Sequence, residues 1–216
     1  MNSLINGAIK FMHEDFLEQK DLFESLSSSQ DPHTLFIGCS DSRVVPNLIT
    51  STLPGELFVV RNIANIVPVY KASNEYLATT SAIEYAINAL NVRNIVICGH
   101  SNCGGCESIY HPQKLEALPT VKNWLWQLND IKEEVLKAQR DFGLSEQEKY
   151  YFTQRLNILT SLENIKTYPN VQEKMQKNEL NLHGWHYVID SGQVFAYDGN
   201  SFKLLSNSKK GDENGI

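Results

Sequence analysis

Three short apolar runs, each ending abruptly in an unusual polar string, organise the first half of the chain. Leu35-Phe36-Ile37 runs into Gly38-Cys39-Ser40-Asp41-Ser42-Arg43, and Leu57-Phe58-Val59-Val60 runs into Arg61-Asn62. Ile95-Val96-Ile97-Cys98 runs into Gly99-His100-Ser101-Asn102-Cys103-Gly104-Gly105. Apolar runs without alternation, bounded by turn residues, predict short strands buried on both faces. Pro54-Gly55 marks the turn into the second. Around these runs the period lengthens. Leu4, Ala8, Phe11, Met12 and Phe16 fall near helical spacing and predict an amphipathic helix over about residues 4–28, broken by Asp31-Pro32. Leu77, Ile83, Ile87 and Leu90 predict a second helix over 74–90, stopped at Asn91, and residues 118–180 read as helix-rich. Trp185 to Ile189, a turn at Asp190-Ser191-Gly192, and Gln193 to Tyr197 predict a C-terminal hairpin.

Buried strands separated by helical stretches predict an α/β fold with a mainly parallel central sheet flanked by helices. A single domain is expected over residues 1–205, followed by a polar, disordered tail over 206–216. In parallel sheets the reactive groups gather beyond the carboxyl ends of the strands. The three polar strings therefore converge if their strands are neighbours.

Composition narrows the possibilities. With 216 residues, 42% hydrophobic and 20% charged, the chain is long enough for one substantial core. No run approaches the roughly 20 apolar residues of a membrane-spanning helix. The start MNSLINGAIKFMHEDF lacks the parts of a secretory signal, which makes the cytoplasm the expected location. A net charge of -6 argues against a nucleic-acid partner. The four cysteines are too few for a disulfide scaffold and read as thiols or metal ligands.

Cys39 and the string His100-Ser101-Asn102-Cys103 supply two thiolates and an imidazole. Three such ligands with a fourth position open are the pattern of catalytic zinc, and soft donors favour zinc over magnesium or calcium. Spacing does not choose between Cys103 and Cys106. Cys103-Gly-Gly-Cys106 also reads as a redox pair or a second ligand pair.

CSDSR after a strand, then FVVRNIAN, AIEYA and GHSNCGG, in that order over residues 36–105, resemble the beta-carbonic anhydrases. The resemblance implies one zinc per chain on Cys39, His100 and Cys103. It also implies reversible hydration of carbon dioxide to bicarbonate by zinc-bound hydroxide, oriented by the catalytic pair Asp41 and Arg43. One subclass of that family lets the aspartate, here Asp41, take the metal in a closed low-pH state, and binds bicarbonate off-site on a Trp, Arg, Tyr set. Here Phe36 stands at the Trp position, with Arg61 and Tyr187 in the others. The other subclass uses a glutamine nine residues before the first cysteine, matched by Gln30, with Phe58 and Tyr85 in its apolar pocket. The open form is therefore expected, with Gln30, Phe58, Tyr85 and Gly104 as substrate-binding residues. A homodimer or homotetramer, with the N-terminal helix laid on the partner, is implied as well.

Plainer readings stand beside these. Cys98 ends a buried strand and reads as core, and His33 as a solvated loop residue. His183 and His186 read as structural, and Trp124, Leu125 and Leu128 as helix packing. Carbonyl sulfide and carbon disulfide hydrolases resemble the same family. A zinc-stabilised binding or redox module built on Cys103 and Cys106 is the alternative from another class.

Overall fold

The computed structural model describes residues 1–72 and 77–206. The chain begins with a jointed helical arm. Helix α1 (Asn2–Lys10) passes through a wider π-type turn at Phe11–Asp15 into α2 (Phe16–Glu18), and α3 (Lys20–Leu26) follows. Gln19, at φ -115° and ψ 20°, leaves helical geometry between them. The rings of Phe11, Phe16 and Phe23 pack on one another with centroids 5.4–6.3 Å apart and brace the joint. The one helix expected over 4–28 is thus several segments, bent where aromatic packing outweighs helical continuity.

Strand β1 (Thr34–Cys39), helix α4 (Pro46–Thr50), strand β2 (Leu57–Asn62), helix α5 (Leu77–Asn88) and strand β3 (Asn94–His100) come next. A helical layer follows: α6 (Gly104–Ser108), α7 (Pro119–Leu125), α8 (Asn129–Phe142), α9 (Glu146–Ile165) and α10 (Pro169–Gln176). The chain returns through β4 (Asn181–Tyr187), β5 (Val194–Tyr197) and β6 (Phe202–Leu204). Residues 74–76 of the expected second helix, and 207–216 of the expected tail, lie outside the described residues.

The strand order is β2-β1-β3-β4-β5-β6. The first four strands are parallel, and β5 and β6 add in antiparallel fashion. The connection from β1 goes one way to β2, and β3 lies on the other side, so the crossover direction reverses at β1. In parallel sheets such a switch point opens a crevice at the carboxyl ends of the two strands. Here those ends are Cys39 and His100.

Leu35, Ile37, Ile95 and Ile97 face one side of the sheet and pack with Ile83 and Ile87 of α5 and Ile158, Leu162 and Ile165 of α9. Phe36, Val96 and Cys98 face the other side, against Trp185 and Tyr187. Helix α9 lies unusually close. A Cβ on Gly99 would stand 2.8 Å from Ile158, and one on Gly184 would stand 2.7 Å from Leu162. Two side-chain-free positions on adjacent strands therefore seat this helix against the sheet.

Candidate metal centre

The end of β1 is shaped by hydrogen bonds to its own backbone. Arg61, at the end of β2, donates from Nε to the Cys39 carbonyl (2.9 Å) and from Nη2 to the Asp41 carbonyl (2.5 Å). Its guanidinium thus holds the loop, while Phe36 lies fully buried with its ring 6.4 Å from that of Trp185. Asp41 receives Arg43 from three donors: Nε to Oδ1 (2.9 Å), Nη2 to Oδ2 (2.7 Å) and the backbone N–H to Oδ1 (3.0 Å). Those bonds keep the Asp41 carboxyl well below the usual carboxylate range. The same Nη2 donates to the Asn102 carbonyl (3.0 Å), which ties the loop after β1 to the loop after β3.

Cys39, His100 and Cys103 meet between those loops, all buried, with their ligand atoms within 4.8 Å of one another. The two sulfurs are 4.0 Å apart. A tetrahedral ion with zinc–sulfur bonds of about 2.3 Å spaces its sulfurs by roughly 3.8 Å, so the pair is near the separation zinc needs. His100 Nδ1 lies 2.9 Å from the Ser101 carbonyl, which only accepts; the proton is therefore on Nδ1 and the lone pair on Nε2. That buried Nε2 has no hydrogen-bond partner among the described residues. The Cys103 thiol beside it, together with burial, pushes Cys39 up to about 12, and the adjacent Cys106 thiol raises Cys103. Two thiols so placed resist ionising without a cation, and a divalent ion reverses that resistance. The donor set fits zinc: two thiolates and a neutral imidazole cancel a 2+ charge.

Cys106 is outside the three-ligand group, though its thiol adjoins that of Cys103, and Asn157 Nδ2 lies 3.9 Å from its sulfur. Cys98 is core. His33 is exposed, and His186 is fully buried on β4. Gly104 follows Cys103 on the exposed side, and a Cβ there would meet nothing within 4 Å. Beside Ser40 and Asn62 a hollow of about 340 Å³ is walled by Ile63, Ala78, Thr79, Val121 and Trp124.

Gln30, Phe58 and Tyr85 are not brought to this cluster within the chain. Phe58 pairs with Leu35, four residues or about 13 Å back along the ladder from the Cys39–Asn62 pair. Tyr85 stacks on Phe58 with centroids 5.8 Å apart and is half exposed, and Gln30 lies in the exposed loop before β1. Reasoning from the strand ends also missed Gln154, which lies under the loop after β3. Its signal is a polar set on α9, Thr153, Gln154, Asn157 and Ser161, which reads as a solvated face and is buried.

An α/β sheet with a Cys-His-Cys cluster at its switch point defines a metal-site enzyme architecture. The comparisons with known proteins give it a family: residues 34–194 match the carbonic anhydrase family model. A carbonic anhydrase of Helicobacter pylori strain J99 is 45% identical over 195 residues, covering 89% of this chain and 88% of its own. One of Pseudomonas aeruginosa is 39% identical over 212 residues, covering 95% and 91%. The solved beta-carbonic anhydrase CcaA matches with a TM-score of 0.89 at 41% identity, over 95% of this chain and 99% of that one. A structure from a study of two tetrameric beta-carbonic anhydrases of Sordaria macrospora matches with a TM-score of 0.79 at 28% identity, over 91% and 96%. This chain belongs to the carbonic anhydrase family, in its beta class, and is an enzyme of that family. No helix of the described residues is long and apolar enough to cross a membrane.

Proposed function

We propose that this chain catalyses zinc-dependent, reversible hydration of carbon dioxide to bicarbonate and a proton, with one zinc per chain on Cys39, His100 and Cys103. The observation that carries the reading is the buried cluster with its unpartnered His100 Nε2, set beside an ionised Asp41. When bound, zinc supplies the Lewis acidity that lowers the pKa of water toward neutrality.

The chain's own residues do the positioning. Asp41 accepts a hydrogen bond from the attacking water and aims its lone pair at carbon dioxide. Arg43 keeps that carboxylate charged and fixed, and its three bonds favour the open form in which Asp41 leaves the metal alone. Gly104 leaves the approach beside Cys103 unfilled.

Gln30, Phe58 and Tyr85 bind substrate across an interface, supplied by a second copy of the chain in a homodimer or homotetramer. Support comes from their place at the far end of β1 and from the arm, where the apolar residues Leu4, Ile5, Ile9 and Met12 are left 46–75% exposed by their own chain. Four buried free thiols suit the reducing cytoplasm.

Stopped-flow hydration across about pH 6.5–9, with zinc quantified in the same preparation, tests the reading. One zinc per chain, with kcat/KM rising through an apparent pKa, is expected. Stoichiometric zinc without hydration at any pH would sink it and send the protein to carbonyl sulfide and carbon disulfide assays. A preparation unable to take up zinc would remove the metal centre itself.

A further inference from the structure

Between His100 and Cys103 the chain must turn so that both side chains aim at one point. Asn102 makes that turn in the left-handed region, at φ 54°, a conformation the surroundings have to hold. The end of β4 and the segment just after it hold part of it: Ser101 N–H donates to the Tyr187 carbonyl (2.9 Å), and Ile189 N–H donates to Ser101 Oγ (2.9 Å). Arg43 takes the Asn102 carbonyl. Two further peptide groups of the loop, the His100 carbonyl and the Asn102 N–H, are reached by one side chain.

That side chain is Gln154 of α9, buried beneath the loop at 4% exposure. Its carboxamide is satisfied in one orientation. Nε2 donates to the His100 carbonyl (3.3 Å) and to His186 Nε2 (3.1 Å), and Oε1 accepts from Asn102 N–H (3.2 Å). Reversed, it would set oxygen against the His100 carbonyl and NH2 against the Asn102 N–H. His186 is fully buried, and burial brings it down to about 4, so it is a neutral acceptor under Gln154 near neutral pH. The platform is stiff, since α9 runs from Glu146 to Ile165 and presses on the sheet at Gly99 and Gly184.

We propose that Gln154, seated on His186, is a positioning residue for the metal, clamping the peptide groups on both sides of Ser101 so that His100 and Cys103 converge. The inference rests on the zinc reading of the cluster. It assigns to α9, far along the chain from the ligands, control over how well they are preorganised.

The test compares the unaltered protein with Gln154→Met, Gln154→Glu and Ser161→Ala. Zinc affinity is read by chelator competition, ligand geometry by the absorption bands of the cobalt(II) form, and folding by thermal unfolding. Gln154→Met removes every hydrogen bond at similar volume and should weaken zinc binding by about 10–100-fold and shift the cobalt bands. Gln154→Glu keeps the acceptor for Asn102 N–H but not the donor to His100, and should fall between. Ser161→Ala, on the same helix as Gln154, loses a bond from the Val67 N–H of the segment before α5 and should cost stability while leaving affinity in place.

Wild-type affinity and cobalt bands in Gln154→Met would overturn the proposal, leaving Gln154 as packing alone. Should that variant not fold, the same result in Gln154→Glu overturns it. No zinc binding by the unaltered protein would instead fail the metal reading beneath it, which is a separate outcome.

Discussion

The two ends of β1 hold different kinds of chemistry. At the carboxyl end, Cys39, Asp41 and Arg43 meet His100 and Cys103 inside one chain, buried or tied by hydrogen bonds. At the amino end, Gln30 and the Phe58–Tyr85 pair sit at an exposed surface. Ligands and their partners must be fixed to a fraction of an ångström, and the switch point of a parallel sheet provides that from one chain. Walls for an apolar substrate need only shape and dryness, which an interface supplies as well. On the proposed reading, the metal end is autonomous and the pocket end is a contribution made to a partner.

The harshest way to break that contrast is at the metal end. His100→Ala should lose zinc and hydration together while keeping the fold, since the side chain it removes is a proposed ligand; metal analysis beside a stopped-flow assay checks both. Asp41→Ala should keep zinc and lose about 10²-fold or more in kcat. Mixing then separates the two ends. If Tyr85 serves the neighbour's site, Asp41→Ala and Tyr85→Ala chains refolded together should regain roughly a quarter of wild-type activity, because half of randomly paired dimers are mixed and each has one intact site. No gain over either parent would place Tyr85 in its own chain's site or in none.

A smaller effect concerns the platform under the metal loop. His186 is held near 4 when folded, against 6.5 as its ordinary value, with Arg155 and His100 as its charged or titratable neighbours. The unfolded chain therefore binds a proton first as pH falls. The stability from neutral His186 is present above about 6.5 and lost on the way down through about 4, a loss of about 3 kcal/mol at most. Denaturant unfolding of wild type and His186→Gln across that window should show the shallower slope in the variant. Equal slopes would mean His186 is not held neutral. Smallest of all, Cys106→Ser should stay metal-loaded and active, because Cys106 is outside the three-ligand group and serine keeps a small polar neighbour for Cys103 and Asn157. Zinc loss there would revive a Cys103–Cys106 pair.

The strand ends were legible because unbroken apolar runs stop where chemistry begins. Their apolar cores mark β1, β2 and β3, and the ladders continue through Cys39, Asn62 and His100 because backbone pairing does not depend on side-chain polarity. That same indifference hid the start of β4: Asn181, His183 and Gly184 look like loop, yet they pair in parallel with Asn94, Val96 and Ile97. Strand β6 is too short to leave a pattern. The support of the site was the least visible part. Gln154, Asn157 and Ser161 occupy positions that read as solvated, and only the fold reveals that they face loop backbone: Asn157 donates to the Ala64 carbonyl (2.6 Å), and Ser161 Oγ accepts from Val67 N–H (3.1 Å). Polar residues betray no burial when their partners are peptide groups brought from far along the chain.

The position of α9 also has a consequence in time. Gln154 follows Cys103 by about 50 residues. At about 5–20 residues per second, a ribosome emits both proposed ligand thiols and the imidazole roughly 3–12 s before the helix that backs them, ending at Ile165, is complete. During synthesis the nascent chain therefore carries its soft donors unburied, and the loop that holds them gains its final support only when α9 docks on the two glycines of the sheet.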